Sequence, residues 1–148
     1  MRVRLEVKEE CYEELRKELE RYGIIVDDDA DYVLSQRNTY AEYLFVRKED
    51  VNVHVAVKDI TYIETLGHDV LVYTMDGAYK CTERLWQLEK SLNPEHFFRV
   101  SNSAIVAIKQ VKRIKPALSQ KFTLILSCGK TLDVTRTYYY AFKEKFGI

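Results

Sequence analysis

No stretch of this sequence comes near the ~18 uninterrupted apolar residues of a membrane-spanning helix. Its opening residues, MRVRLEVKEE, alternate charged and apolar side chains instead of joining a basic patch to an apolar run. Neither a membrane span nor a signal peptide is expected. Cysteine is scarce: Cys11, Cys81 and Cys128 are odd in number, far apart and never in a C-x-x-C pair. That spacing argues against a zinc site, and the three are read as small buried hydrophobes in a reducing cytoplasm. A glycine-rich phosphate loop, an H-E-x-x-H helix and a Ser-His-Asp spacing are all missing, and His54, His68 and His96 fall in separate elements. A hydrolase built on these histidines or on Asp27–Asp31 is set aside, and no catalytic residue, metal, cofactor or small-molecule substrate is expected. Net charge is absent too: 23 basic residues balance 23 acidic ones, which taken alone argues against a polyanionic partner.

The distribution of that charge says more than its sum. Residues 1–42 hold 7 Lys/Arg against 12 Asp/Glu, a net of −5, and residues 43–148 hold 16 against 11, a net of +5. Between Arg99 and Arg136, eight cations (Arg99, Lys109, Lys112, Arg113, Lys115, Lys121, Lys130 and Arg136) face Asp133 alone. Asymmetry of this kind is the electrostatic footprint of a nucleic-acid-binding protein. The competing explanation is a solvated, lysine-rich pair of strands. At 148 residues and 47% hydrophobic content, the chain can bury one good core, or one core plus an appendage, but not two full domains.

Along the chain, Arg2–Val7 alternates like a half-buried strand, and Cys11/Tyr12, Leu15, Leu19 and Tyr22 recur at helical spacing over Glu9–Tyr22. Ile24–Val26 and Tyr32–Leu34 are short strands around Asp27-Asp28-Asp29, read as a solvated turn rather than a phospho-acceptor or metal pocket, which needs carboxylates at the ends of different strands of a full domain. Gln36–Glu42 reads as a linker. Beyond it come short strands: Tyr43–Arg47, Val51–Val57 with valine at every odd position, Ile60–Leu66, Val70–Thr74 and Ala78–Cys81, with turns at Gly67-His68-Asp69 and Asp76-Gly77. A helix is expected from Thr82 as N-cap to Asn93-Pro94, with Leu85, Leu88 and Leu92 on one face. Phe97–Val100, Ala104–Ile108, Val111–Lys115 with a turn at Pro116, Phe122–Ser127 and Thr131–Val134 continue the strands. A final helix, Tyr138–Phe146, ends at Gly147. The fold class is α+β: a mainly antiparallel β domain over 43–148 with one internal and one C-terminal helix, preceded by a small β-α-β appendage over 1–42 that is a candidate for dimerisation or partner contact, the alternative being that its apolar helix stripe only covers its own small sheet.

Three polar loops, Gly67-His68-Asp69, Ser101-Asn102-Ser103 and Thr135-Arg136-Thr137, interrupt this apolar framework with side chains suited to base edges or phosphates. Each has a plainer explanation: an exposed histidine, an Asx turn, a threonine N-cap. Ile60-Thr61-Tyr62-Ile63-Glu64, the run Phe97-Phe98-Arg99-Val100-Ser101-Asn102-Ser103-Ala104-Ile105-Val106, and Leu132–Tyr138 followed by Phe142-Lys143 together resemble, in order and over about 43–148, the LytTR-type DNA-binding domain of bacterial transcription regulators. The resemblance implies stacked antiparallel sheets that insert loops, rather than a recognition helix, into successive major grooves of directly repeated sites in double-stranded DNA. By motif position it implies base contacts from His68, Asn102 and Arg136. Phosphate contacts or support would come from Arg99, Ser101, Ser103, Lys109, Lys112, Arg113, Thr135 and Thr137.

The sequence departs from that pattern where Ser101 replaces a common His, Asn102 a frequent Arg and Ala107 a frequent Asn. Asn in place of Arg moves preference from guanine toward adenine. Residues 1–42 do not resemble the phospho-acceptor domain often fused to this module. Small proteins of this layout are similar to those paired with a membrane protein, so a regulatory partner is expected alongside a homodimer on repeated sites, in a bacterial cytoplasm. The alternative function is a basic protein–protein interaction module without DNA binding.

Overall fold

The structure, a computed structural model, describes residues 1–37 and 40–148; Asn38 and Thr39 of the expected linker lie outside the described residues. The chain divides into two compact units, Met1–Thr39 and Tyr40–Ile148. Among the described residues no helix is long and apolar enough to cross a membrane.

The first unit contains β1 (Arg2–Glu6), α1 (Glu9–Arg21), β2 (Ile25–Val26) and β3 (Tyr32–Ser35), with the strands parallel in the order β2-β1-β3. Alternation in β1 buries Val3 and Leu5. Glu9 and Glu10 in the first turn of α1 and Arg21 in its last oppose the helix dipole favourably. No residue of α1 is buried. The acidic triplet is a turn: Asp27 accepts the Asp29 amide at 3.0 Å and pairs with Arg2 at 2.8 Å.

The second unit is built on one seven-stranded sheet: β4 (Tyr43–Lys48), β5 (Val51–Ala56), β6 (Ile60–Leu66), β7 (Asp69–Thr74), β8 (Gly77–Cys81), β9 (Phe97–Ser101) and β10 (Ala104–Ala107). The strands lie in the order β5-β4-β8-β7-β6-β10-β9 and every pairing is antiparallel. A second sheet, β11 (Val111–Ala117), β12 (Lys121–Leu126) and β13 (Thr131–Val134), pairs in chain order. Two helices complete the unit, α2 (Leu85–Ser91) and α3 (Tyr139–Phe146). Tight reversals join the hairpins: Glu49-Asp50 and Ser119-Gln120 both take positive φ at each central residue, the twist that suits antiparallel strands.

Because successive side chains of a strand point to opposite faces, the large sheet carries a core on each side. Ile63, Val70, Val72 and Ile105 pack with Leu85, Leu88 and Leu92 in and after α2. Their neighbours Tyr62, Val100, Ala104 and Val106 pack with Phe122, Leu124 and Leu126 of β12, Leu132 and Val134 of β13, and Phe142 of α3.

Several sequence expectations are corrected. Pro116 makes no turn; it pairs with Phe122 inside β11, tolerated because β11 is an edge strand that needs no amide on its outer side. Thr82 is not an N-cap: Cys81 still pairs with Val70 in the sheet, so α2 starts later, with Arg84 at the cap position donating its amide to Gln87 Oε1 at 2.8 Å. The last helix is preceded by a 3-10 turn over Arg136–Tyr138. Cys128 is exposed, in the turn between β12 and β13, and Cys11 and Cys81 are only half-buried; three buried cysteines were expected.

Candidate nucleic-acid interface

Backbone pairing fixes where the three polar loops lie. The β6–β7 reversal is the dipeptide Gly67-His68, with Leu66 opposite Asp69. Glycine at its first central position takes φ 62°, as such a turn requires, and His68 is exposed at the tip. Next to it in the sheet, β10 pairs with β6 through Ala104 opposite Glu64. The Thr65 amide then donates to the Ser103 carbonyl at 2.8 Å, so the His68 turn and the Asn102-Ser103 turn share one end of the sheet. The third loop joins on the other side: the Thr135 amide donates to the Val100 carbonyl at 3.0 Å, two residues before Asn102. Arg136 and Thr137 follow it, both exposed. Asn102, His68 and Arg136 are thereby held on neighbouring elements at one end of the unit.

The middle loop is braced from inside. The Arg99 guanidinium, whose side chain is 14% exposed, pairs with Glu89 at 2.8 Å. It donates through Nε to the Ser101 carbonyl at 2.7 Å and through NH2 to the Asn102 carbonyl at 2.9 Å. Ser101 is buried; its hydroxyl accepts the Ser103 amide at 3.1 Å and lies 3.2 Å from the Ser103 hydroxyl. Arg99 and Ser101 therefore shape the loop, leaving Asn102 and Ser103 exposed at its tip. Thr135 contributes in the same way, since its carbonyl also accepts the Tyr138 amide at 2.9 Å and starts the 3-10 turn carrying Arg136.

The remaining cations do not all gather there. Lys109 follows the far end of β10 and donates to the Lys58 carbonyl at 2.7 Å. Lys112 and Arg113 are exposed near the start of β11, where Val111 lies opposite Leu126 and Arg113 opposite Ile125. Lys121 is nearer the Arg136 end, because Phe122 beside it pairs with Val134. The tip preceding Lys121 is tied to α3 by Gln120 Nε2 donating to the Tyr140 hydroxyl at 2.8 Å. Lys130 faces inward, 3.2 Å from Glu64 and over the Tyr62 ring. Burial, then the neighbouring Tyr73 and Glu64, hold the Tyr62 hydroxyl well above the usual tyrosine range, so it stays protonated. Among the described residues no group of three His, Cys, Asp or Glu side chains could hold a metal ion.

Sequence reasoning missed the bracing partners Glu89 and Glu64. Glu89 sits ten residues before Arg99 on α2, and no local spacing signals that pairing.

A family model described as the LytTr DNA-binding domain matches residues 50–147. Over 128 residues, 85% of this chain and 52% of the relative, the chain is 30% identical to the sensory transduction protein LytT of Bacillus subtilis. Over 123 residues, 82% of this chain and 50% of the relative, it is 25% identical to the transcriptional regulatory protein LytR of a Staphylococcus aureus strain. The chain thus spans about half the length of these curated relatives. Its fold is similar to the solved LytTr DNA-binding domain of a methyl-accepting/DNA response regulator from Bacillus cereus, with a TM-score of 0.70 at 21% identity, covering 73% of this chain and 99% of that one.

Proposed function

This chain belongs to the LytTr DNA-binding domain family, and from that membership we propose that it is a bacterial, cytoplasmic transcription regulator. It reads double-stranded DNA in a sequence-specific manner, setting loops into successive major grooves of directly repeated sites. The observation that carries this reading is the convergence of three exposed polar tips at one end of a rigid sheet, through the Thr65–Ser103 and Thr135–Val100 hydrogen bonds.

Two contributions to binding follow. Lys112, Arg113, Lys115 and Lys121, all exposed, neutralise phosphates, while the hydroxyls of Ser103 and Thr137 donate hydrogen bonds to phosphate oxygens, and affinity falls with salt at a logarithmic slope of about −0.9 per phosphate neutralised. Sequence is chosen at the tips: Arg136 bridges guanine O6 and N7, Asn102 pairs with adenine N6 and N7, and His68 donates to an acceptor, at roughly 1–3 kcal/mol for each good bidentate contact. Arg99, Ser101 and Thr135 present those tips rather than contacting phosphate. Lys109, whose ammonium is engaged by the Lys58 carbonyl, lies outside the contact set. The acidic first unit, with exposed Tyr32 and Leu34 on β3, serves as the contact for a regulatory protein partner.

Selection of bound fragments from a random duplex pool tests the proposal. A recovered motif that repeats in the same orientation supports it; recovery of unrelated sequences, with equal affinity for all of them, removes sequence-specific reading.

A further inference from the structure

A cleft of about 400 Å³ opens between α2 and α3 beside β9, the edge strand of the large sheet. That volume lies within the roughly 300–1,000 Å³ of small-molecule sites, and none of His68, Asn102 and Arg136 lines it. Its floor is apolar, formed by Leu92, Phe97, Phe98 and Ile105. Leu92, Phe97 and Ile105 belong to the core, which holds that floor fixed. One wall is the face of the 3-10 turn and α3 that carries Tyr138, Ala141 and Lys145 at helical spacing. Glu89 of α2 lines the other side, joined to Arg99 by their 2.8 Å ion pair.

We infer that this cleft binds a small molecule made of an apolar, preferably aromatic, body and one carboxylate. The floor selects the body, since an apolar occupant removes that surface from water and a hydrated ion does not. Charge selects the other end. Arg99, Lys145 and Glu89 are the charged residues of the lining, so cations outnumber carboxylates. Lys145 is exposed and pairs with no carboxylate among the described residues. A guanidinium carries five N–H donors in a planar fork that matches a carboxylate. The bonds of Arg99 to Glu89 and to the Ser101 and Asn102 carbonyls do not exhaust them. By contrast, the larger cavity of about 610 Å³ sets Lys58 and Lys109 against Glu42 and Glu95, and its lining has no such preference.

The occupant of the cleft touches the supports of two reading tips. Arg99 holds the Asn102 carbonyl at 2.9 Å, and Tyr138 closes the 3-10 turn that carries Arg136. The site itself does not depend on which bases those tips contact, and its test is made without DNA.

Titration of the isotope-labelled full chain with phenylacetate, indole-3-acetate and naphthalene-1-acetate, followed by amide chemical shifts, tests the inference. At least one acid is expected to saturate in the low millimolar range or below, with its largest shifts in 89–92, 97–99 and 138–145. Naphthalene-1-acetamide, which lacks the charge, and inorganic phosphate, which lacks the apolar body, should each bind at least about tenfold more weakly than that acid. Ala141→Leu, at an exposed position of α3, fills the cleft and should abolish binding with an unchanged circular dichroism spectrum. Lys145→Gln should weaken binding about threefold, as loss of one partly solvated charge does. Failure of all three acids to saturate, shifts centred on other residues, equal binding of the amide or of phosphate, or unchanged affinity in Lys145→Gln or in a folded Ala141→Leu chain would each overturn the inference.

Discussion

The amide of Thr65 donates to the carbonyl of Ser103 at 2.8 Å, and this bond makes one edge out of two loops that are 34 residues apart between His68 and Asn102. Sequence recognition by separate loops needs such a link, because loops that moved independently would each lose ordering entropy on contact with DNA.

Arg136→Ala is expected to weaken binding to the selected site far more than to random duplex, whereas Lys112→Ala should weaken both alike. A base contact carries discrimination and a phosphate contact does not. Titration of the two duplexes at fixed salt checks this, and equal ratios for the two variants would remove Arg136 from base reading.

Arg99→Ala should act on the loop before it acts on DNA. The change strips hydrogen bonds from the Ser101 and Asn102 carbonyls and leaves Glu89 without its partner, at a cost of about 2 kcal/mol in urea unfolding, in the range for hydrogen bonds to a charged group. Specific affinity should fall with an unchanged salt slope. A shallower slope would identify Arg99 as a phosphate contact instead.

Phe142→Ala should be the most damaging single change to the second unit. Phe142 is 0% exposed, and its ring meets Phe146 at 4.2 Å, Phe122 at 5.4 Å and Phe98 at 5.6 Å. A cavity in that cluster costs about 3–5 kcal/mol. Chemical denaturation monitored by tyrosine fluorescence measures it.

Thiol labelling should separate the cysteines. Cys128 is exposed, while Cys81 is half-buried. Burial, outweighing a backbone hydrogen bond from Glu83, raises the Cys81 thiol above its ordinary value. The sign follows: Cys81 holds less thiolate than an ordinary cysteine at neutral pH, and its labelling should gain rate only as pH climbs past the usual thiol range. Mass spectrometry after timed alkylation should find Cys128 modified first and Cys81 lagging, most at low pH.

Much of the architecture was legible because it is local. Valine at alternate positions from Val51 to Val57 and the turn dipeptide Gly67-His68 report directly on the backbone, whereas the second reversal falls one residue earlier than Asp76-Gly77, at Met75-Asp76, because Gly77 already pairs with Thr74 in β8. The errors have non-local causes. Whether Pro116 breaks a strand depends on β11 being an edge, which is decided by β12 and β13. Thr82 looks like a cap until the pairing of Cys81 with Val70 is known. At the interface, the exposed tips were readable as polar residues among apolar runs. The inward turn of Arg99 onto Glu89 was not, because a cation beside a basic segment looks the same whether it faces solvent or the protein.

The two cores of the second unit have their walls in common. Within β6, Tyr62 belongs to one and Ile63 to the other; within β10, Val106 and Ile105 divide likewise. Neither half can therefore melt while its neighbour stays intact, and denaturation should be all-or-none. The central amides of β6 and β10 should exchange with solvent hydrogen only when the entire unit opens, while those of the His68 and Asn102 tips exchange freely without it.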